Sequence, residues 1–214
     1  MQIQDYIDHT ILKPTAQPAD IEKLCQEAIA HKFKAVCVNG CYTKFAKEQL
    51  KNSGVHLAVV IGFPLGAMST EAKVFEAKDS VANGADEIDM VINIGWLKSG
   101  KTGLVEQEIA KIKNAIGQKV LKVIIETCYL TQDEKKKACE LAVDAGADFV
   151  KTSTGFGTGG ATFEDVKLMK EVVGDKAKIK ASGGVRDRAT ALKYISLGVS
   201  RIGTSSGIEI ASTK

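Results

Sequence analysis

Eight short β-branched, apolar runs recur along the chain, each followed by an amphipathic stretch, and this alternation constrains the fold more than any other feature. The runs predict strands at Tyr6 to His9, Ala35 to Asn39, Leu57 to Phe63, Glu87 to Ile94, Lys122 to Thr127, Phe149 to Ser153, Ile179 to Ser182 and Arg201 to Thr204. Helices are predicted between them at Pro18 to His31, Thr43 to Asn52, Ser69 to Asn83, Leu104 to Ile116, Thr131 to Ala145, Thr162 to Val173 and Arg186 to Leu197, with a short one after Ser206. Several open on an N-cap with an acidic first turn, as in Thr131-Gln132-Asp133-Glu134. Helices close on a glycine that introduces the next strand, as in Asn83-Gly84-Ala85-Asp86, Ala145-Gly146-Ala147-Asp148 and Leu197-Gly198-Val199-Ser200. Strict alternation predicts a parallel sheet, and eight parallel strands close into a (β/α)8 TIM barrel. A single domain over residues 1–214 follows, because no Pro/Ser-rich linker interrupts the pattern. An open doubly wound sheet is the alternative.

Composition removes several classes of function. Lysine and arginine number 29 against 26 aspartates and glutamates, a formal charge of +3, which leaves no nucleic-acid footprint and no attraction to an anionic membrane. Leu57 to Phe63, among the longest apolar runs, is far short of the roughly 20 residues of a membrane span. Met1 to Thr10 lacks the pattern of a secretory signal. Five cysteines, an odd number without a Cys-x-x-Cys spacing, suit a reducing cytoplasm. His9, His31 and His56 are scattered, so no metal and no cofactor is expected.

Side chains alternate across a strand, so parity assigns faces. Ile88, Met90 and Ile92 share one face of the fourth strand, Val123 and Ile125 one face of the fifth, and these apolar sets must meet the helices. Asp8, Cys37, Asp89, Glu126, Lys151 and Lys180 then point into the barrel. Barrel interiors are normally filled with branched apolar residues, and an unpaired charge there costs several kcal/mol. A structural ion-pair network, with Asp89 and Glu126 neutralising the lysines, is one reading. The other is a site, since lysine has a mobile stem and a shiftable pKa where arginine would pair better. Two ammonium groups about 6 Å apart at an effective dielectric near 20 repel by roughly 3 kcal/mol, about two pKa units. One amine becomes neutral and able to form a Schiff base, and a carboxylate such as Asp89 could shuttle protons. Cys37 has no evident base and reads as a buried small side chain.

Gly155-Phe156-Gly157-Thr158-Gly159-Gly160 matches G-x-G-x-x-G, yet it lies late in the chain, and Lys180 stands where a ribose-binding carboxylate belongs. Ser182-Gly183-Gly184-Val185 and Gly203-Thr204-Ser205-Ser206-Gly207 follow the last two strands, the usual place of a phosphate in this barrel. Ordinary strand-to-helix turns are the alternative for these glycines. Carboxylate chemistry by Asp89 and Glu126 on a phosphosugar, and a non-catalytic phospho-ligand sensor, also remain open.

The chain closely resembles deoxyribose-phosphate aldolase. The likeness runs through Ile7-Asp8-His9-Thr10, Ala35-Val36-Cys37-Val38-Asn39, Ile61-Gly62-Phe63-Pro64-Leu65-Gly66, Asp86-Glu87-Ile88-Asp89-Met90-Val91, Val150-Lys151-Thr152-Ser153-Thr154-Gly155 and Lys180-Ala181-Ser182-Gly183-Gly184-Val185-Arg186. It implies a metal-independent TIM-barrel lyase that cleaves 2-deoxy-D-ribose 5-phosphate to acetaldehyde and D-glyceraldehyde 3-phosphate. By motif position it implies Lys151 as the Schiff-base lysine, Lys180 as the assisting lysine and Asp89 as the proton relay. It implies Gly155, Gly183, Gly184, Ser205 and Ser206 near the phosphate. Asp8, Cys37, Thr154 and Glu126 are secondary site candidates. A homodimer is expected by analogy. Some relatives carry a lysine directly after the Lys-Thr-Ser-Thr-Gly motif; here Phe156 stands there, which leaves more of the phosphate binding to backbone amides.

Overall fold

A computed structural model describes residues 2–212 of the chain, so Met1, Thr213 and Lys214 of the expected domain lie outside the described residues. Its eight parallel strands close in sequence order into a barrel: β1 Ile7–Thr10, β2 Ala35–Asn39, β3 His56–Ile61, β4 Glu87–Val91, β5 Val120–Ile124, β6 Phe149–Lys151, β7 Lys178–Ser182 and β8 Arg201–Thr204. The pairing of β1 with β8 completes the ring and excludes the open sheet. The helices are α1 Pro18–His31, α2 Thr43–Gln49, α3 Thr70–Ala82, α4 Ile94–Lys98, α5 Thr102–Ile116, α6 Gln132–Asp144, α7 Phe163–Val173, α8 Arg188–Ser196 and α9 Gly207–Ala211.

Local chemistry sets these boundaries. Thr131 and Glu134 form a reciprocal capping box on α6, and Thr162 accepts from the Asp165 N–H at 3.0 Å on α7. Gly84, Gly146 and Gly198 have φ of 106°, 81° and 93°, which lets each helix turn directly into the next strand. In two of these turns the following aspartate stitches the sheet. Asp86 accepts from Leu57 N–H at 3.0 Å and Asp148 from Leu121 N–H at 2.7 Å, and each also pairs with a lysine, Lys47 or Lys113.

The structure ends several strands earlier than the sequence pattern does. β4 stops at Val91 because the Asn93 side chain caps a helical turn, accepting from Trp96 N–H at 3.1 Å; Ile94, expected in the strand, starts α4. β5 ends at Ile124, and Glu126 takes a left-handed backbone with φ 54°.

Two apolar clusters reflect the alternation. The larger lies between barrel and helices and contains Ile88, Met90, Ile92, Val123, Ile125, Val150 and Ile179, as parity requires. Burying each such side chain contributes about 1.5–3 kcal/mol. The smaller, Leu12, Cys37, Ala58 and Val60 with Phe63 against it, includes the inward residues of β2 and β3. Charged side chains fill much of the rest of the interior, together with Val91 and Ile124.

Candidate active site

Asp89, on β4, is fully buried at the centre of the charged interior and accepts from three lysines. Lys122 of β5 donates to its Oδ1 at 2.7 Å, while Lys151 of β6 and Lys180 of β7 share its Oδ2 at 2.9 and 2.8 Å. Lys180 also donates to Asp8 Oδ2 at 2.5 Å, and Lys122 lies 2.5 Å from Glu87 Oε2. Arg201 of β8 closes the cluster, with Nε 2.6 Å from Asp8 Oδ1 and its two Nη atoms 3.1 and 2.8 Å from Glu87. At the strand N-terminal end the half-exposed His56 lies 3.1 Å from Glu87.

Lys122, Lys151, Lys180 and Arg201 thus face three carboxylates, Asp8, Glu87 and Asp89. An uncompensated buried charge is costly, so the cluster is relieved when one amine is neutral. Burial pushes Lys151 down; Asp89 opposes this and Lys180 reinforces it, and the amine ends below its ordinary value. Burial also pushes Lys180 down, but Asp8 and Asp89 outweigh it and hold that amine above its ordinary value. Asp89 itself, despite burial, is held well below the usual carboxylate range by Lys122, Lys151 and Lys180. Between the two lysines that share Asp89 Oδ2, the ammonium form is therefore the less favoured at Lys151. Repulsion between the lysines, the cause expected from sequence, is real, since sharing one oxygen keeps the two nitrogens no further apart than the sum of those contacts. It ranks behind burial, however.

Lys151 also differs in access. A cleft of about 390 Å3 opens at the strand C-terminal end, lined by Lys151 but by neither Lys122 nor Lys180. Thr154, Gly155 and Phe156 line it after β6, Ser182, Gly183 and Gly184 at the end of β7, and Ser205 after β8. Gly155, Gly183 and Gly184 have φ of 86°, 83° and 82°. Among the described residues no protein acceptor is found for the N–H groups of these glycines or of Ser205, and the buried Ser182 hydroxyl is also unpartnered. These donors suit an anion. Ser206 does not line the cleft; its N–H donates to Thr204 Oγ1 at 2.9 Å at the start of α9. Lys13 and Arg186 line the same cleft and bring positive charge that Phe156 does not. A larger hollow of about 660 Å3 at the opposite end, lined by Lys44, Lys47, His56 and Asp86 among others, includes none of the three buried lysines.

Gly203 explains how Lys180 fits. A Cβ there would lie 2.3 Å from Ser182 Oγ and 3.0 Å from Lys180 Cε, so the missing side chain is the space through which the lysine passes.

The remaining sequence candidates separate. Asp8 joins the cluster. Cys37 is buried beside Ala58 and Val60, and burial pushes its thiol up, which suits packing rather than attack. Glu126 is buried but does not join the lysines: its carboxylate accepts from Thr154 N–H at 3.2 and 3.3 Å and from the Thr154 hydroxyl. The strand had ended before it, so alternation no longer applied. The reading that Asp89 and Glu126 together neutralise the lysines is corrected accordingly: Asp8 and Glu87 take that place beside Asp89. Lys122, Glu87 and Arg201 went unnamed in the sequence, although Glu87 shares parity with Asp89, and Lys122 with Ile124 and Glu126.

The family model for DeoC/LacD family aldolase matches residues 3–210. The deoxyribose-phosphate aldolase of Finegoldia magna is 60% identical over 210 residues, covering 98% of this chain and 99% of that protein. The solved structure of QR15, an aldolase, superposes with a TM-score of 0.95 at 44% identity over 99% of this chain and 95% of its own. The deoxyribose phosphate aldolase of Aeropyrum pernix, solved as a tetramer, gives a TM-score of 0.89 at 31% identity over 98% of this chain and 89% of its own. The buried lysine cluster beneath a donor-lined cleft thus sits in a chain that belongs to the DeoC/LacD aldolase family.

Proposed function

We propose that this chain reversibly cleaves 2-deoxy-D-ribose 5-phosphate to D-glyceraldehyde 3-phosphate and acetaldehyde through an imine on Lys151, as a step of deoxyribonucleoside catabolism. One observation carries the assignment of the nucleophile: of three lysines that converge on Asp89, Lys151 alone lines the cleft, and its amine is held below the ordinary lysine value whereas that of Lys180 is held above it. The neutral amine attacks the C1 aldehyde of the open-chain sugar, and loss of water from the carbinolamine leaves a protonated imine. Removal of the C3 hydroxyl proton breaks the C2–C3 bond, releases glyceraldehyde 3-phosphate and leaves the two-carbon enamine. Protonation at C2 and return of the water then free acetaldehyde and the amine. Asp89, in contact with both Lys151 and Lys180, relays these protons, and Lys180 stays cationic to favour a neutral Lys151.

The phosphate is assigned to the amides of Gly155, Gly183, Gly184 and Ser205, with Lys13 and Arg186 adding positive charge. Carboxylate-based isomerisation by an Asp89–Glu126 pair is disfavoured because Glu126 is engaged by Thr154 and does not line the cleft, which leaves Asp89 without a second carboxylate to work with. The five cysteines are free thiols, which supports a cytoplasmic setting, and among the described residues no helix is long and apolar enough to cross a membrane. A homodimer is proposed on family analogy. The direct test is release of glyceraldehyde 3-phosphate from 2-deoxyribose 5-phosphate by the purified protein. Lys151→Ala is expected to remove it, and full activity in that variant would overturn the assignment.

A further inference from the structure

We infer that Glu126 is a positioning residue: its carboxylate sets the Thr154–Phe156 segment and thereby the affinity of the cleft for the phosphate end of the substrate, without joining the proton transfers. The inference rests on the aldolase reading above. Past β5 the chain stays tied to β6, with Ile125 N–H donating to Lys151 O and Thr127 N–H to Thr152 O, both at 3.0 Å. Glu126 stands between them in the left-handed region, at φ 54°, which residues other than glycine, asparagine and aspartate rarely adopt. That turn buries its carboxylate, 2% exposed, against the segment that follows Lys151.

The contacts run in one direction. The carboxylate accepts the Thr154 N–H, the Thr154 hydroxyl and, at 3.8 Å, the Cys128 thiol. The Thr154 oxygen in turn accepts the Phe156 N–H at 3.0 Å. A Cβ on Gly157 would lie 3.2 Å from the Glu126 carboxyl carbon and 2.8 Å from Cys128 Sγ, so this glycine lets the segment close onto the glutamate. The far end of the segment is held independently, where Ala161 N–H donates to the carbonyls of Ser182 and Gly183 at 3.0 and 3.1 Å. Glu126 thus anchors the near end of a strap that carries Gly155 across the cleft, and none of its contacts reaches Lys151, Lys180 or Asp89. Thr154, a secondary site candidate from the sequence, is the link between the anchor and the cleft.

The experiment compares the wild type with Glu126→Ala and the near-isosteric Glu126→Gln on 2-deoxyribose 5-phosphate and on unphosphorylated 2-deoxyribose, with inorganic phosphate as a competing anion. Loss of hydrogen bonds to a charged acceptor is expected to raise KM for the phosphorylated sugar about tenfold or more in Glu126→Ala, and less in Glu126→Gln. The inhibition constant of phosphate should rise in parallel, while kcat stays within about threefold and kcat/KM for 2-deoxyribose changes little. Equal losses on both sugars, a fall confined to kcat, or an unchanged phosphate constant would overturn the inference. If Glu126→Ala does not fold, the near-isosteric Glu126→Gln provides the same comparison. If the wild type does not cleave the phosphosugar, the aldolase reading fails, and the inorganic-phosphate affinities, measured by calorimetry, still decide whether Glu126 sets anion binding.

Discussion

Replacing Lys180 by methionine should make Lys151 a poorer nucleophile by keeping it charged. In the wild type four buried basic side chains meet three carboxylates, whereas the variant has three of each, because Asp8 retains Arg201 and Glu87 retains both Lys122 and Arg201. The two amines share Asp89 Oδ2, so their separation is at most about 6 Å, and at an effective dielectric near 20 the lost repulsion is roughly 3 kcal/mol. That raises the Lys151 pKa by about two units, so a smaller share of the amine is neutral at any pH below the variant's value. The assay is the pH dependence of reductive trapping of acetaldehyde on Lys151, followed by intact mass. In the wild type trapping should rise with pH to a plateau through a midpoint below the ordinary lysine value, and in Lys180→Met that limb should move up by about two pH units. A limb that stays in place or moves down would refute the charge-balance reasoning.

Asp89→Asn separates imine formation from turnover: acetaldehyde trapping should persist because Lys151 loses the charge that favours its ammonium form, while cleavage falls by about 10²–10⁴-fold with the proton relay; loss of both together, in a folded variant, would contradict this. The fully buried Lys73–Glu108 pair, 2.7 Å apart between α3 and α5, lies outside the cluster. Lys73→Met should cost about 3–5 kcal/mol in denaturant unfolding by stranding Glu108, with recovery in Lys73→Met/Glu108→Leu. A single variant as stable as the wild type would contradict it. Asp8, Glu87 and Asp89 all have pKa values depressed in the folded state, so the stability they contribute is present above the unfolded carboxylate range and is lost as pH falls through their folded values. Unfolding free energy should therefore drop steeply below about pH 4, more steeply than in Asp89→Asn, as urea titrations at stepped pH would show; equal slopes in the two proteins would contradict it.

The barrel was legible because each βα unit repeats the same punctuation, a capped helix start and a glycine before the next strand, and because strand alternation separates Ile88, Met90 and Ile92 from Asp89. Lys151, Lys180, Asp89 and Asp8 stood out for the same reason: charge on the face that should be apolar. The site was less legible where the backbone leaves regular geometry. Nothing local announces that Glu126 turns left-handed, so alternation aimed it at the lysines, whereas the structure gives it to Thr154. Lys122, Glu87 and Arg201 were readable by parity, yet they sit towards the strand N-terminal ends, away from where barrel enzymes place their chemistry. The order of causes at Lys151 was out of reach, since burial depends on packing that spacing alone does not reveal.

One adduct tests the assignment of Lys151 most directly. The purified protein, incubated with acetaldehyde and borohydride and then digested for peptide mass spectrometry, should carry a single ethyl group on Lys151. Lys151→Ala should carry none, and Lys122 and Lys180, which do not line the cleft, should be unmodified. An ethyl group on Lys180 or Lys122, or a wild-type protein with no adduct, would contradict the assignment of Lys151 as the neutral amine of the cluster.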